Sequence, residues 1–206
     1  MARSKRRGST CILIGVLLLI GALGLTAYNL WDENRAGVAA AGAARALRAQ
    51  TPPAVPPEDP EYVIPDYLID PRASMPTAEV EGYDYIGVLT IPVLDLELPV
   101  MDSWSYPQLK LSPCRYEGSA YTGDLIIAAH NYHRHFGRLK TLQAGDTVVF
   151  TDAAGSVFTY TVSGLEQLLP SQGKEMREGD WDLTLFTCTV GGQQRVTVRC
   201  ERVEPA

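Results

Sequence analysis

Apolar and polar positions divide the chain into a continuous apolar run, a segment rich in alanine and proline, and a series of short apolar or alternating runs. The first part, residues 8–31, contains no charged side chain, and its centre, residues 11–25, consists mainly of Ile, Leu, Val and Gly. A helix crosses a bilayer with about 20 mostly apolar residues. The pattern therefore predicts one transmembrane helix near the N-terminus.

The charges that flank this run predict its orientation. The basic sequence MARSKRRG precedes it, and Asp32 and Glu33 follow it. The positive-inside rule then places the N-terminus in the cytoplasm and everything downstream outside the cell. The alternative is a cleaved signal peptide, but its apolar core would be shorter, about 7–15 residues. We therefore expect residues 1–31 to be a cytoplasmic basic tail and an uncleaved, single-pass signal anchor.

Residues 32–80 have the composition of an extracellular linker. The Ala-rich part, residues 36–50, either continues the helix or forms a flexible stalk. Residues 51–76 hold eight of the fourteen prolines, which excludes a helix and favours an extended spacer. Apolar and aromatic side chains between these prolines either pack on the surface of the domain, in a position near a groove, or belong to an unstructured linker. They are Tyr62, Val63, Ile64, Tyr67, Leu68 and Ile69.

Residues 81–206 carry the pattern of an all-β domain. Short apolar or alternating runs are separated by turn residues, and there is no long amphipathic helix. The predicted strands are 85–91, 96–100, 125–129, 147–151, 156–163, 183–188 and 195–203, with one short helix or turn at 136–142. This pattern predicts a barrel or sandwich with a single core.

Charge and cysteine content exclude two classes of function. The net charge is −6, and the positive charges near the start of the chain precede an acidic remainder, which argues against a nucleic-acid-binding surface. The four cysteines show no metal-ligand spacing, so a zinc site is not expected. They are Cys11, Cys114, Cys188 and Cys200.

The last two predicted strands bring a thiol beside a guanidinium. If residues 189–194 form the connecting loop, Cys188 lies opposite Arg195, with β-carbons about 4.5–5.5 Å apart. The same register puts Cys200 opposite Leu183, too far from Cys188 for a disulfide, and alternation sends Cys200 to the core. A thiolate is a nucleophile, and a guanidinium donates hydrogen bonds in a fixed fork to a carbonyl or an oxyanion.

A nucleophilic site of this kind also needs a base, and the chain has three histidines. His130 closes the apolar strand 125–129, where it is placed to face a groove. His133 and His135 lie in the polar loop that follows, and we expect both to be exposed to solvent. Neighbouring arginines make that loop a poor site for a divalent cation.

Three segments resemble the sortases, cysteine transpeptidases of Gram-positive cell surfaces. LTLFTC at 183–188 is similar to their T-L-x-T-C signature, and RVTVRCERV at 195–203 is similar to their arginine strand. AAHNYHRHFGRLKTLQAGDTVVF at 128–150 resembles their histidine segment. The resemblance covers residues 83–203 and has the family's order of His, Cys and Arg.

This resemblance implies a sortase-type closed β-barrel of about eight strands with short helices over residues 81–206, preceded by one transmembrane helix. It implies that the nucleophile Cys188 cleaves an LPxTG-like sorting motif through a thioester, with His130 as general acid/base. Arg195 would stabilise the substrate and the oxyanion. The implied partners are sorting-motif-bearing surface proteins, the amine of a peptidoglycan precursor or a pilin, and the membrane.

Several alternatives remain open at this point. Arg199 could replace Arg195. Residues 163–182 are too few for the helix-bearing insertion of class B sortases, and the linker shows no clear lid motif of class C, so a class A, D or E-like enzyme remains. No cofactor or metal is predicted, although Glu117, Asp124 and Glu166 are acidic residues of the kind that bind calcium in some relatives. A hydrolysing thiol protease would share the same site, and a β-domain that binds peptide or cell wall without catalysis would share the same anchor.

Cys114 has two possible states. It could pair with Cys200 on the oxidising side of the membrane, or remain a free buried thiol, which is the state we expect.

Overall fold

The computed structural model describes residues 2–53 and 64–203. It divides into two compact units, residues 1–35 and 36–206. Tyr62 and Val63 lie outside the described residues.

The first unit is the beginning of a long helix, α1 (Ala2–Gln50). Its apolar side chains between Ile12 and Trp31 are exposed to solvent, because nothing in this unit covers them. Among the described residues, α1 is the one helix long and apolar enough to cross a membrane. The helix is therefore compatible with the transmembrane helix that the sequence predicts near the N-terminus.

The second unit begins while α1 is still helical, so the helical alternative for residues 36–50 is the one observed. One face of α1 is buried here, and its members recur every three or four residues as a packed helix requires. They are Ala36, Ala40, Ala43, Ala44 and Leu47. Ala43 and Leu47 pack in one apolar cluster with Val80 and Met101. The compact unit therefore starts earlier than residue 81, where the strand pattern begins.

In the described part of the chain, nine strands and several short helices follow α1. The strands are β1 (Ala78–Val80), β2 (Tyr83–Ile91), β3 (Leu96–Met101), β4 (Cys114–Glu117), β5 (Leu125–Ala128), β6 (Thr147–Asp152), β7 (Val157–Leu168), β8 (Leu183–Cys188) and β9 (Arg195–Arg202). The helices are α2 (Asp66–Ile69), α3 (Tyr106–Leu109) and α4 (Gly173–Arg177), with 3₁₀ turns at Pro92–Leu94 and Phe136–Thr141.

Eight of these strands form a closed barrel in the order β2-β3-β4-β5-β8-β9-β7-β6, and β6 pairs back onto β2. The first strand, β1, pairs with the start of β2. Closure brings the backbones of β2 and β6 very close at Gly87, where a β-carbon would lie 2.1 Å from the carbonyl oxygen of Thr151. The barrel confirms the predicted fold, and its interior is filled by large apolar side chains such as Phe136, Phe150 and Tyr160.

Two strand pairings position the site. β8 and β9 are antiparallel, with Cys188 paired to Arg195 and Leu183 paired to Cys200, which confirms the predicted register. β5 and β8 are parallel neighbours, with Leu125 paired to Leu183. The sequence pattern did not indicate this parallel pairing, because it joins strands that are far apart in the chain.

Candidate active site

The ends of β5, β8 and β9 lie side by side. In the parallel pair, Ala128 lies opposite Phe186, and the ladder continues with a hydrogen bond from Ala129 N to Phe186 O of 3.2 Å. Continuing this register by two residues places His130 beside Cys188, on chains about 4.8 Å apart. Cys188 in turn is paired with Arg195. The three predicted site residues therefore meet at one end of the barrel.

A groove of about 220 Å³ opens at this end, and His130, Cys188 and Arg195 all line it. Its other walls are mainly apolar and aromatic. They include Trp104, Tyr106, Leu109, Tyr116, Leu169, Pro170, Met176 and Phe186. A groove of this kind suits an extended peptide with apolar side chains, bound next to a nucleophile.

Strand alternation separates Cys188 from the residue before it. Thr187 is buried, and its Oγ1 donates a 2.8 Å hydrogen bond to the carbonyl oxygen of Ala129. Cys188 points to the opposite side, is partly exposed, and lies in the groove. The buried hydroxyl thus fixes the backbone immediately before both Cys188 and His130.

The guanidinium of Arg195 lies over the loop that joins β8 to β9. Its Nη1 donates to the carbonyl oxygens of Gly192 at 3.1 Å and Gln194 at 3.2 Å. The loop is closed by Thr189, whose backbone N donates 2.9 Å to Gln194 O. These bonds hold the planar group at the edge of the groove beside Cys188, where its remaining N–H groups can face a substrate carbonyl.

Arg199 has a different environment, four residues further along β9 and about 13 Å from Arg195 by the strand rise. It is 4% exposed and pairs across the sheet with Thr184, not Cys188. Its guanidinium donates to Thr184 Oγ1 at 2.9 Å and Glu166 Oε1 at 2.7 Å. It also donates to the carbonyl oxygens of Met176 and Glu175, at 2.9 and 2.6 Å. Arg199 therefore fastens α4 to the sheet, and this face of β9 is covered there.

The histidine loop, residues 130–137, holds its three histidines in different surroundings. The ring of Tyr132 lies 5.0 Å from that of His130 and 5.5 Å from that of His135. His133 is exposed, as predicted. The predicted exposure of His135 is wrong, because this side chain is 0% exposed. The neighbouring Phe136 enters the core at the start of the 3₁₀ turn and draws His135 inward.

Burial changes the protonation of His135. The pKa of His135 is lowered from 6.5 to about 4, mainly by loss of hydration and to a smaller extent by the charge of His130. The nearby backbone of Ala36 has the opposite effect and raises this pKa. His135 is therefore neutral at physiological pH.

Cys114 and Cys200 are free, buried thiols that belong to separate apolar clusters. Burial raises the pKa of each to about 12. The expected free thiol at Cys114 is confirmed, and the alternative disulfide with Cys200 is wrong.

The acidic residues considered for calcium have protein partners. Glu117 pairs with Arg177 at 2.5 Å, and Glu166 pairs with Arg199 at 2.7 Å. Asp124 accepts a hydrogen bond from Ser119 N at 2.9 Å. Within residues 2–53 and 64–203, no group of three His, Cys, Asp or Glu side chains is arranged to hold a metal ion.

Sequence reasoning missed the aromatic wall of the groove. The ring of Tyr116 lies 5.5 Å from that of Trp104 and 5.2 Å from that of Phe186, with the latter pair edge to face. These residues come from three separate segments, so no local pattern joins them. The available signal was Trp104 itself, a tryptophan among the polar residues that follow β3.

The described part of the Pro-rich segment packs at the other end of the barrel. Tyr67 stacks on Tyr121 at 4.6 Å and lies 5.3 Å from Phe158. Phe158 is near the start of β7, whereas Leu168 at its end pairs with Arg195, about 30 Å away by the strand rise. The surface packing considered from sequence is therefore observed at Tyr67, but away from the groove.

Comparisons with known proteins agree on one family. A family model described as Sortase domain matches residues 89–203. Sortase A of Bacillus anthracis is 25% identical over 122 residues, which are 56% of this chain and 58% of that relative. The match thus spans less than two thirds of the relative's length.

Two solved structures share the fold. Sortase C1 of Streptococcus agalactiae has a TM-score of 0.55 at 24% identity, over 71% of this chain and 80% of that one. Sortase C of Clostridium perfringens, solved with the C-terminal cell wall sorting motif, has a TM-score of 0.53 at 24% identity, over 59% and 72%.

Proposed function

The chain belongs to the sortase family, and from that premise we propose that it is a membrane-anchored cysteine transpeptidase. It cleaves an LPxTG-like sorting motif through a thioester and transfers the carried protein to a cell-wall or pilin amine. The observation that carries this proposal is the neighbourhood of His130, Cys188 and Arg195 on adjacent strand ends, within one apolar groove.

The first half of the reaction is acylation of the thiol. The thiolate of Cys188 attacks the scissile carbonyl, a C–S bond forms, and the carbonyl oxygen takes the negative charge. Arg195 donates hydrogen bonds to that oxygen, which stabilises the charge where it develops. Protonated His130 gives its proton to the departing amine, the C–N bond breaks, and a thioester remains on Cys188.

The second half transfers the acyl group. An amine enters the groove beside His130, which is now neutral and removes one of its protons. The amine attacks the thioester, the C–S bond breaks, and Cys188 leaves as thiolate while His130 keeps the proton. The acceptor is the amine of a peptidoglycan precursor or a pilin lysine. These steps use only side chains of this protein.

Exposed apolar residues of α1 support membrane anchoring. Between Ile12 and Trp31 the large apolar side chains are 46–70% exposed, and a bilayer would cover them. Tyr28 and Trp31 lie at the end of this run, where aromatic side chains favour the interface between lipid and water. With the basic residues before it, this helix anchors the protein with its N-terminus in the cytoplasm and the catalytic domain outside.

The test uses the full chain in detergent micelles with fluorogenic LPxTG-like peptides, with and without hydroxylamine as a small amine nucleophile. We expect an amine-captured product that disappears in Cys188→Ala. Cleavage without amine capture would instead indicate a hydrolysing cysteine protease. Binding with no thioester detectable by mass spectrometry would overturn both and leave a non-catalytic peptide-binding domain.

His130 supplies an independent check of the mechanism. His130→Ala should abolish turnover and leave the circular dichroism spectrum unchanged, whereas the matched variant of the exposed His133, His133→Ala, should retain activity. If His133→Ala lost activity and His130→Ala kept it, the base would be His133 and not His130.

A further inference from the structure

The part of α1 that begins the second unit lies against the histidine loop. Ala36 is 0% exposed. At Gly37 a β-carbon would lie 2.3 Å from Cδ and 3.1 Å from Cβ of Arg134. A residue with a side chain at position 37 would therefore require Arg134 to shift.

Glycine at this position has a cost that the helix itself does not explain. Glycine in a helix interior is about 1 kcal/mol less favourable than alanine. Gly37 has ordinary helical geometry, so no left-handed backbone requires it. Gly42 lies in the same helix and has no atom within 4 Å of its ideal β-carbon. The close approach to Arg134 is therefore what distinguishes Gly37.

A short series of contacts connects this point to His130. The backbone of Ala36 lies near the buried imidazole of His135, where its effect is to raise the pKa of that group. Tyr132 lies between the two histidine rings, 5.5 Å from His135 and 5.0 Å from His130. The loop is also closed by its own backbone, since Phe136 N donates 3.2 Å to His130 O and His135 N donates 2.9 Å to Tyr132 O. A displacement at Ala36 is therefore passed to His130 through packed groups.

We propose that Ala36 and Gly37 are positioning residues, through which α1 holds the histidine loop and sets the orientation of the His130 imidazole beside Cys188. The catalytic consequence rests on the function proposed above, whereas the structural link does not. On this basis α1 both anchors the protein in the membrane and positions the histidine of the active site.

The experiment compares Gly37→Ala with the control Gly42→Ala in the full chain in micelles. Both changes raise helix propensity equally, and only the first introduces a contact with Arg134. The readout is the set of histidine Cε1–H resonances by NMR, because the chain has only three histidines. Gly37→Ala should shift the His130 and His135 resonances and leave His133 in place. Gly42→Ala should shift none.

Removal of the obstructing side chain should rescue the structure. The double variant Gly37→Ala/Arg134→Ala should return the His130 resonance to its position in Arg134→Ala alone. In the peptide assay, Gly37→Ala should lower kcat about tenfold with little change in KM, since small misplacements of catalytic groups cost large factors in rate. The double variant should recover most of that loss.

Three results would overturn the proposal: an unmoved His130 resonance in Gly37→Ala, an equal shift in Gly42→Ala, or no rescue in the double variant. If Gly37→Ala does not fold, the double variant decides, because it has room for the added methyl group. The NMR readout needs no turnover. A wild-type chain without transpeptidase activity would therefore refute the proposed function and leave this inference to be decided by the resonances.

Discussion

Thr187 Oγ1 donates a 2.8 Å hydrogen bond to the carbonyl oxygen of Ala129. The bond joins the residue before Cys188 to the residue before His130, and both partners are buried. The relative position of thiol and imidazole is thus fixed by one side-chain bond in addition to the parallel ladder between β5 and β8.

Replacing this hydroxyl should loosen the site. Thr187→Val keeps the shape of the side chain but removes the donor, so the carbonyl of Ala129 loses this buried partner, at a cost of about 1–3 kcal/mol in the free energy of unfolding. We expect kcat/KM to fall as well, whereas Thr187→Ser should retain both quantities. Urea unfolding and the peptide assay measure them. Wild-type values in Thr187→Val would show that the ladder alone positions the pair.

Substitutions of Arg195 and Arg199 in β9 should have different effects. Arg195→Lys should leave the melting temperature unchanged and lower kcat/KM about 100-fold, because an ammonium cannot reproduce the planar fork at an oxyanion. Arg199→Lys should lower the melting temperature, because it loses several bonds to α4 and the sheet. If Arg199→Lys lowered kcat/KM and Arg195→Lys lowered the melting temperature, the oxyanion role would belong to Arg199.

The buried His135 should make stability fall in acid. Its folded pKa of about 4 is below the ordinary value of 6.5, so the unfolded chain binds a proton more readily. The stability associated with the neutral imidazole is fully present above pH 6.5 and is lost as the pH falls towards 4, by roughly 3 kcal/mol in total. His135→Gln has no such titration. The difference in unfolding free energy between the wild-type protein and His135→Gln should therefore change between pH 7 and pH 4.5. A difference that stays constant over this range would contradict the prediction.

The second half of α1 should contribute to the stability of the barrel. Leu47 is 0% exposed and packs in an apolar cluster with strands of the barrel, so Leu47→Ala should cost about 2–5 kcal/mol. Val38, on the opposite face of the helix, is 57% exposed. Val38→Ala should change the unfolding free energy by about 0.5 kcal/mol or less. Equal effects of the two changes would mean that α1 does not pack on the barrel in solution.

The thiols should differ in reactivity. With pKa values of about 12, Cys114 and Cys200 are almost entirely protonated at pH 8 and are also inaccessible. Iodoacetamide should therefore modify Cys188 in the native protein and leave those two intact, as peptide mass spectrometry would show. Alkylation of Cys114 or Cys200 without denaturant would indicate that the core opens readily.

The register of the last hairpin could be predicted because it is local. The loop between β8 and β9 has six residues, and both strands alternate clearly, so the partner of Cys188 followed from counting. The thiol, its arginine partner and the core position of Cys200 were all within reach of the sequence. The closed barrel followed from the number and spacing of short strands together with the resemblance to the sortases.

The remaining features depend on contacts between distant segments. Nothing local indicated that β5 lies parallel to β8, although this pairing brings His130 to Cys188. His135 looks like a polar loop residue, and its burial accompanies the entry of its neighbour Phe136 into the core. The sequence did not predict the buried face of α1, because this face consists mainly of alanine, which is only weakly hydrophobic and is also common in linkers.

The parallel pairing of β5 with β8 has a consequence for how such a site can diverge. The three chemical groups lie at strand ends whose positions are fixed by backbone register, whereas a large part of the groove wall comes from connecting segments, such as those carrying Trp104 and Met176. Those segments can change in length and composition without moving the thiol, the imidazole or the guanidinium. Substrate choice can therefore evolve, or be engineered, separately from the chemistry, and libraries for retargeting belong in the connections and not in the strands.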